Sequence, residues 1–325
     1  MAFTSPNLTE IVTTTLRRRS KALADNISQH NALLSRMQSK GNSQLVPGGR
    51  TIVEELEYAE NATFQYYSGY EVLDVSPSDV FTAAEYNWKQ SAVNVTASGL
   101  ETRIQNAGPE QIISLLESRI KNAEKTMANQ TSVGIYSDGT GSNGKQIGGL
   151  QSIVADGGAG TVGGIDAGTY TWWGNQTSGD VAGIDSSAAL LDAEMKNMWL
   201  ETTRGTDGVD LIVSDQTLYK VFWDNMTDRQ RITDASEGVS GFNSLKFVTA
   251  DVVMEGGPNP ANSGIPANHM YFLNTDYLKF KVHAETNFVP FERRQPVNQD
   301  ALVVPILFAG NLCCSNRFLQ GVVFT

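Results

Sequence analysis

The stretch Ser137 to Gln146, "SDGTGSNGKQ", is the part of the chain that comes nearest to a phosphate-binding loop, with Gly139 and Gly144 at the required spacing and Lys145 after them. A working loop needs a buried strand before it, a Ser or Thr after the Lys to hold magnesium, and a helix starting behind it. Position 146 is Gln, the preceding long element reads as a helix ending near Gln130, and Gly148 and Gly149 stand where the helix should begin. The stretch therefore reads as a tight turn between short strands "VGIYS" and "IGGLQSIV", with the glycines supplying positive φ and Asp138 a turn hydrogen bond. His30, His269 and His283 share no metal-ligand spacing. "GVSGF" (238–242) has Phe242 where a nucleophile elbow has its last Gly. Glu54, Glu55, Glu57 and Glu60 could be a calcium cluster, but charged strands on a solvated ribbon are the commoner cause of such a run. Arg293 and Arg294 in "FERRQP" suit a salt bridge to an acidic neighbouring subunit. Adjacent Cys313 and Cys314 point to opposite faces of a strand and read as buried structural thiols. No catalytic constellation and no cofactor site emerge.

The elements around these residues are distinctive in their order. "SKALADNISQHNALLSRMQSK" (20–40) places Leu23, Ile27, His30, Leu34 and Met37 on one helical stripe, and Gly41, Pro47, Gly48 and Gly49 end it. From Arg50 to Val75 acidic and aromatic residues with turn signals near Asn61 and Gly69 suggest two long strands in a projecting ribbon. Its Tyr58, Phe64, Tyr66, Tyr67 and Tyr70 would be exposed on a monomer, which favours burial on a partner. A strand-like region (79–97) leads to a helix opened by Gly108 and Pro109, with Ile112, Leu116, Ile120, Ala123 and Met127 as its seam. Beyond a glycine-dense stretch (153–183), "DSSAALLDAEMKNMWLETT" reads as a helix capped by Ser186 or Ser187, with Leu191, Met195, Met198 and Trp199 inward. "VDLIVSD" is a buried strand and "QTLYKVFWDNM" a helix. "MYFLNTDYLKFKVH" alternates Leu278, Phe280 and Val282 with Lys279, Lys281 and His283, and the chain ends on one long apolar strand.

Charge narrows the function class. The 325 residues carry a net charge of −11, which argues against a protein that coats DNA or membrane. Residues 1–40 hold six basic residues (Arg17, Arg18, Arg19, Lys21, Arg36, Lys40) against Glu10 and Asp25, a net +4, leaving a body of −15. Arm and body attract each other. The start lacks the basic and apolar regions of a signal peptide and no run is long enough to span a bilayer, so the expected site of synthesis and residence is a cytosol.

The order of parts resembles the major capsid proteins of tailed bacteriophages, an α+β architecture known as the Hong Kong 97-like phage capsid fold. The resemblance rests on the helical arm, the ribbon, the spine helix, "GIYSDGTGSNGKQIGGL", the block containing "DLIVSDQTLYKVF", and "MYFLNTDYLKFKVH" before the last strand. It implies an N-terminal arm (1–44), an extended loop (45–78), a peripheral domain with the spine helix (79–160, completed by 296–325) and an axial domain (161–295). It also implies a structural shell protein of the virion that assembles with itself as hexamers and pentamers around double-stranded DNA, with separate scaffolding, portal or decoration proteins as possible partners. Arg17, Arg18, Arg19, Lys21, the five ribbon aromatics, Arg293 and Arg294 are the expected inter-subunit contacts. The loop contains no Lys, so lysine cross-linking from it is not expected. A cytosolic enzyme and a tail-tube or surface-array protein remain as alternatives.

Overall fold

A computed structural model describes residues 31–99, 109–179, 181–227, 244–255, 264–290 and 300–325. Helix α1 (Ala32–Ser39) begins at Asn31, whose extended backbone and side-chain oxygen, accepting from Leu34 N, make it an N-cap. Of the helix expected over 20–40, the part from Ala32 is helical and Asn31 is not, while Leu23, Ile27 and His30 lie outside the described residues. The physical reason is local: the Asn side chain satisfies a free N–H of the first turn, so a helix starts at that point instead of passing through it. Ala32, Leu33, Leu34 and Met37 are buried and carry the apolar stripe into the core.

A four-stranded sheet follows, built from β1 (Ser43–Val46), β4 (Lys89–Ser98), β12 (Leu278–Pro290) and β13 (Ala301–Cys314) in the order β1-β12-β13-β4. β13 is central and pairs antiparallel with β4 from Ala301 opposite Ser98 to Gly310 opposite Lys89. Helix α2 (Pro109–Tyr136) packs across β4 and spans 28 residues, about 42 Å at 1.5 Å per residue. Ile120, Ala123, Met127, Thr131 and Ile135 form its buried seam at helical spacing. The helix ends at Tyr136, later than the expected Gln130, so "VGIY" is its last turn and not a strand. Ile135 and Tyr136 extend the buried seam, and that packing outweighs the strand preference of Val, Ile and Tyr. "IGGLQSIV" is not a strand either: Leu150–Ile153 form one helical turn.

A six-stranded sheet has the order β7-β14-β11-β8-β10-β9, from β7 (Gln176–Ser178), β8 (Leu211–Ser214), β9 (Ser244–Phe247), β10 (Ala250–Met254), β11 (His269–Leu273) and β14 (Gly321–Phe324). Both faces are buried. Leu211, Val213, Tyr271 and Leu273 join the core shared with α1 and α2, while Ile212, Met270 and Phe272 face helices α3 (Ala188–Glu201) and α4 (Gln216–Thr227). Ser187 caps α3 by accepting from Leu190 N, and Asp215 accepts from Thr217 N and Leu218 N at the start of α4. The terminal apolar stretch is two strands, β13 and β14, each in a different sheet. "SNRFLQ" between them turns the chain, and the 3-10 turn at Thr275–Tyr277 does the same between β11 and β12.

Candidate functional site

The ribbon is formed by β2 (Ile52–Glu57) and β3 (Phe81–Tyr86), paired antiparallel with Ile52 opposite Tyr86 and Glu57 opposite Phe81. The return strand therefore lies beyond Ser78, and residues 58–80 form a long loop without regular strands. Loop composition explains this: Asn61, Gly69 and Pro77 break the strand pattern, and Asp74 accepts from Ser76 N and Ser76 Oγ in a local turn. From Ala59 to Pro77 every residue except Thr63 is exposed. Tyr66, Val72 and Val75 are each more than nine-tenths exposed, with Phe64, Tyr67, Tyr70 and Leu73 beside them. Phe64 and Tyr66 meet edge to face at 5.3 Å.

Tyr58 stands apart from those aromatics. It stacks on Trp172 at 5.3 Å with the rings 23° from parallel, and its hydroxyl donates to Asp79 O at 2.8 Å. Trp172 comes from the glycine-dense stretch, whose small hairpin of β5 (Thr161–Val162) and β6 (Ile165–Asp166) lies against the ribbon. Glu85 N donates to Gly163 O at 2.8 Å. Gly163 has φ +60°, and a Cβ there would sit 2.7 Å from Ala84 Cβ, so the ribbon and hairpin approach closely only because that residue is Gly.

The underside of the ribbon is ionic. Ile52, Glu54 and Leu56 share the inward face of β2, and Glu54 is buried between Lys279 at 2.9 Å and Lys281, both on β12. Lys281 Nζ also donates to Val53 O. The four-glutamate run is thus divided: Glu54 is neutralised by lysines, and Glu55, Glu57 and Glu60 face solvent. Period-2 alternation alone could have identified Glu54, since it lies between two inward apolar residues. Tyr86 locks the same region to the body, its hydroxyl donating to Cys314 O at 2.9 Å and accepting from Cys314 N at 3.1 Å.

The arm helix carries its own charges to the body. Arg36 pairs with Asp210 at 3.1 Å and Asp251 at 3.0 Å, and Lys40 with Asp210 at 3.0 Å and Asp276 at 2.8 Å. Burial opposes ionisation of Asp210, yet hydrogen bonds from Thr275 and the Lys40 ammonium outweigh it and hold the carboxyl below its ordinary range. At the start of α1, burial pushes Glu255 up to about 7, against hydrogen bonds from Ala32 N and Tyr136 that favour the ionised form. Sequence reading missed Glu255, Asp210 and the buried Arg317. Arg317 donates to Ile153 O at 2.7 Å and Asn175 Oδ1 at 3.0 Å, with Ala159 O and Gly160 O further off. No local pattern marks a residue whose partners are distant carbonyls.

The other sequence-stated candidates separate. Arg17, Arg18, Arg19, Lys21, His30, the 238–242 segment, Arg293 and Arg294 lie outside the described residues. Lys145 is exposed on a turn in which Gly139 and Gly144 have positive φ and Asp138 accepts from Thr140 N and Oγ1, as the turn reading requires. The long helix before it and the single helical turn after it are the wrong elements for a phosphate cradle. His269 and His283 lie in different sheets; His269 Nε2 is 3.3 Å from Asp156, and His283 meets Trp88 edge on. Cys313 and Cys314 are buried free thiols. Burial pushes both thiols up, Cys314 to about 12, away from the thiolate form that reactivity needs. Among the described residues no helix is long and apolar enough to cross a membrane.

No protein-family model and no curated protein matches the chain. Solved structures do. The chain of the cyanophage A-1(L) capsid asymmetric unit aligns with a TM-score of 0.63 and 12% identity over 93% of this chain and 92% of that one. The capsid of Myoviridae phage XM1 gives 0.54 and 11% over 89% and 91%, and the capsid of the native GTA particle 0.51 and 11% over 88% of each. At these identities the likeness is one of backbone architecture, and it covers 88–93% of this chain in the three structures: the chain has the Hong Kong 97-like phage capsid fold.

Proposed function

We propose that the protein is the structural subunit of an icosahedral capsid shell and not an enzyme, assembling with itself as hexamers and pentamers around double-stranded DNA in a virion. The observation that carries this reading is the exposed aromatic loop on a body with a capsid-type fold. Phe64, Tyr66, Tyr67 and Tyr70 project from a ribbon whose root is fixed by Glu54, Tyr58 and Tyr86. A monomer has no use for such a surface, while a neighbouring copy does. At ~150–250 Å² each, the four rings would cover roughly 600 Å² or more, most of the ~800 Å² per partner that a stable interface buries. The acidic body supports containment of DNA, which like charge keeps from adhering to the wall.

Replacing residues 61–78 by a short Gly-Ser linker tests this. The β2–β3 pairing and both sheets lie outside the replaced segment, so circular dichroism and solubility are expected to remain those of the parent. Electron microscopy is expected to show that closed particles are lost. Particles of parental size and stability from the loop-replaced chain would overturn the reading.

A further inference from the structure

His269 and Tyr271 stand two residues apart on β11, so both side chains leave the same face of the sheet. Both are buried, His269 at 8% exposure and Tyr271 at 0%. Even so, neither His269 Nε2 nor the Tyr271 hydroxyl has a hydrogen-bond partner. Native folds leave few such atoms, and an ion-binding place is one reason for an exception. The charged group beside them is Asp156. Its Oδ2 lies 3.3 Å from His269 Nε2. Burial, with the Asp156 charge added to it, pushes the Tyr271 phenol upward, so the hydroxyl keeps its proton and remains a donor.

Both groups are held in place from behind. His269 Nδ1 is 2.7 Å from Ala267 O, and since a carbonyl only accepts, Nδ1 carries the proton and Nε2 is the nitrogen turned to Asp156. Stacking on Phe324 at 5.3 Å, 19° from parallel, fixes the ring plane. Metal-ligating histidines are oriented in this way, with the other ring N–H donated to a carbonyl or carboxylate. Asn175 anchors the residue before Asp156, accepting from Ala155 N at 3.1 Å and donating to Ala155 O at 2.9 Å. The separation of the two groups decides what they hold. A charge-assisted N–H···O bond spans about 2.7–2.9 Å, whereas two ligands of one tetrahedral zinc, each about 2.0–2.2 Å from it, stand roughly 3.3–3.5 Å apart. The 3.3 Å between Nε2 and Oδ2 fits the shared ion. We propose that His269 Nε2 and Asp156 bind a first-row divalent cation of the zinc type, with the Tyr271 hydroxyl as a hydrogen-bond donor beside it. Among the described residues no third His, Cys, Asp or Glu joins them, so water from the exposed Asp156 side completes the coordination and the ion is exchangeable. The nitrogen ligand disfavours magnesium and calcium, which take oxygen. The ion ties the glycine-dense stretch that carries Trp172, the seat of Tyr58, to the six-stranded sheet.

Equilibrium dialysis of the full-length chain against zinc chloride, with metal counted per chain, tests this on free subunits and on shells alike. One zinc per chain is expected, undiminished by excess magnesium. Asp156→Asn changes an exposed side chain and should weaken retention at least about tenfold, the smaller cost of disturbing a metal site. His269→Gln should abolish retention; circular dichroism checks its fold, and Asp156→Asn decides the matter if that variant does not fold. Tyr271→Phe should weaken retention about tenfold, and an unchanged affinity there would remove the phenol from the site. His283→Gln is expected to change nothing, and loss of zinc in it would overturn the assignment to His269. Zinc should also slow proteolysis within 155–175 in the parent and leave it unaltered in Asp156→Asn. A parent that retains no zinc, or equal retention by parent and Asp156→Asn, would overturn the proposal and leave His269 and Asp156 a plain ion pair. None of these measurements depends on assembly, so the shell reading and the metal site stand or fall separately.

Discussion

Glu54 offers the sharpest test of how the ribbon is held. Its carboxylate is only 4% exposed and faces Lys279 and Lys281, whose side chains are 28% and 12% exposed. Glu54→Ala would leave two ammonium groups against the ribbon with no counter-charge. Breaking a buried pair costs about 3–5 kcal/mol, whereas an exposed pair contributes under about 1 kcal/mol. Lys281 lies near the buried limit and Lys279 nearer the exposed one, so a loss of roughly 3 kcal/mol is expected. That is a large share of the roughly 5–15 kcal/mol of a typical domain. Urea unfolding followed by tryptophan fluorescence should show the midpoint falling by about 1 M, taking a slope near 3 kcal/mol per M. Hydrogen exchange should speed up first at Val53 to Leu56, since the ribbon root opens before the sheets. Replacing all three residues with apolar side chains (Glu54→Leu, Lys279→Leu, Lys281→Met) should restore most of the loss, because no charge is then stranded. An unchanged midpoint for Glu54→Ala, or a loss abolished by moderate salt as for a surface pair, would refute the buried-clamp argument.

Two further outcomes follow from the same coordinates. Glu255 has a folded-state pKa of about 7, above its ordinary 4.5, so the proton it retains on folding stabilises the protein below pH 4.5 and that contribution is lost as pH rises to about 7. Glu255→Gln should flatten this part of the stability profile by about 3 kcal/mol, at 1.36 kcal/mol per unit; parallel parent and variant profiles between pH 4.5 and 7.5 would contradict it. Arg317→Ala should destabilise by about 4 kcal/mol, from two good charge-assisted hydrogen bonds lost at ~1.5–3 kcal/mol each, and should speed proteolysis in 155–175. Arg317→Lys should rescue little, because one ammonium cannot reach both Ile153 O and Asn175 Oδ1, and an intact midpoint in either variant would remove Arg317 from its anchoring role.

Elements with strong periodicity were legible from residues alone. The buried strand "LIVS", the helices after Ser187 and Asp215, and the alternation of Leu278, Phe280 and Val282 all stand where pattern places them. Errors arose where tertiary packing decides. "VGIY" has strand-like residues but continues the buried seam of α2, and the last apolar run looks continuous although "SNRFLQ" divides it between two sheets. The ribbon's return strand was missed because "DVFTAAEY" resembles any short strand, and only its register with Ile52–Glu57 identifies it. The loop aromatics Phe64, Tyr66, Tyr67 and Tyr70 were legible as exposed on the isolated chain. Tyr58 was grouped with them because sequence spacing says nothing of Trp172, more than a hundred residues away.

Whether this chain builds a closed shell is decided by cryo-electron microscopy of the purified full-length protein. Closed icosahedral particles are expected in which each 58–80 loop lies over an adjacent subunit and Phe64, Tyr66, Tyr67 and Tyr70 are buried there. Particles in which those four aromatics remain in solvent, or a protein that stays monomeric at every concentration reached, would contradict it.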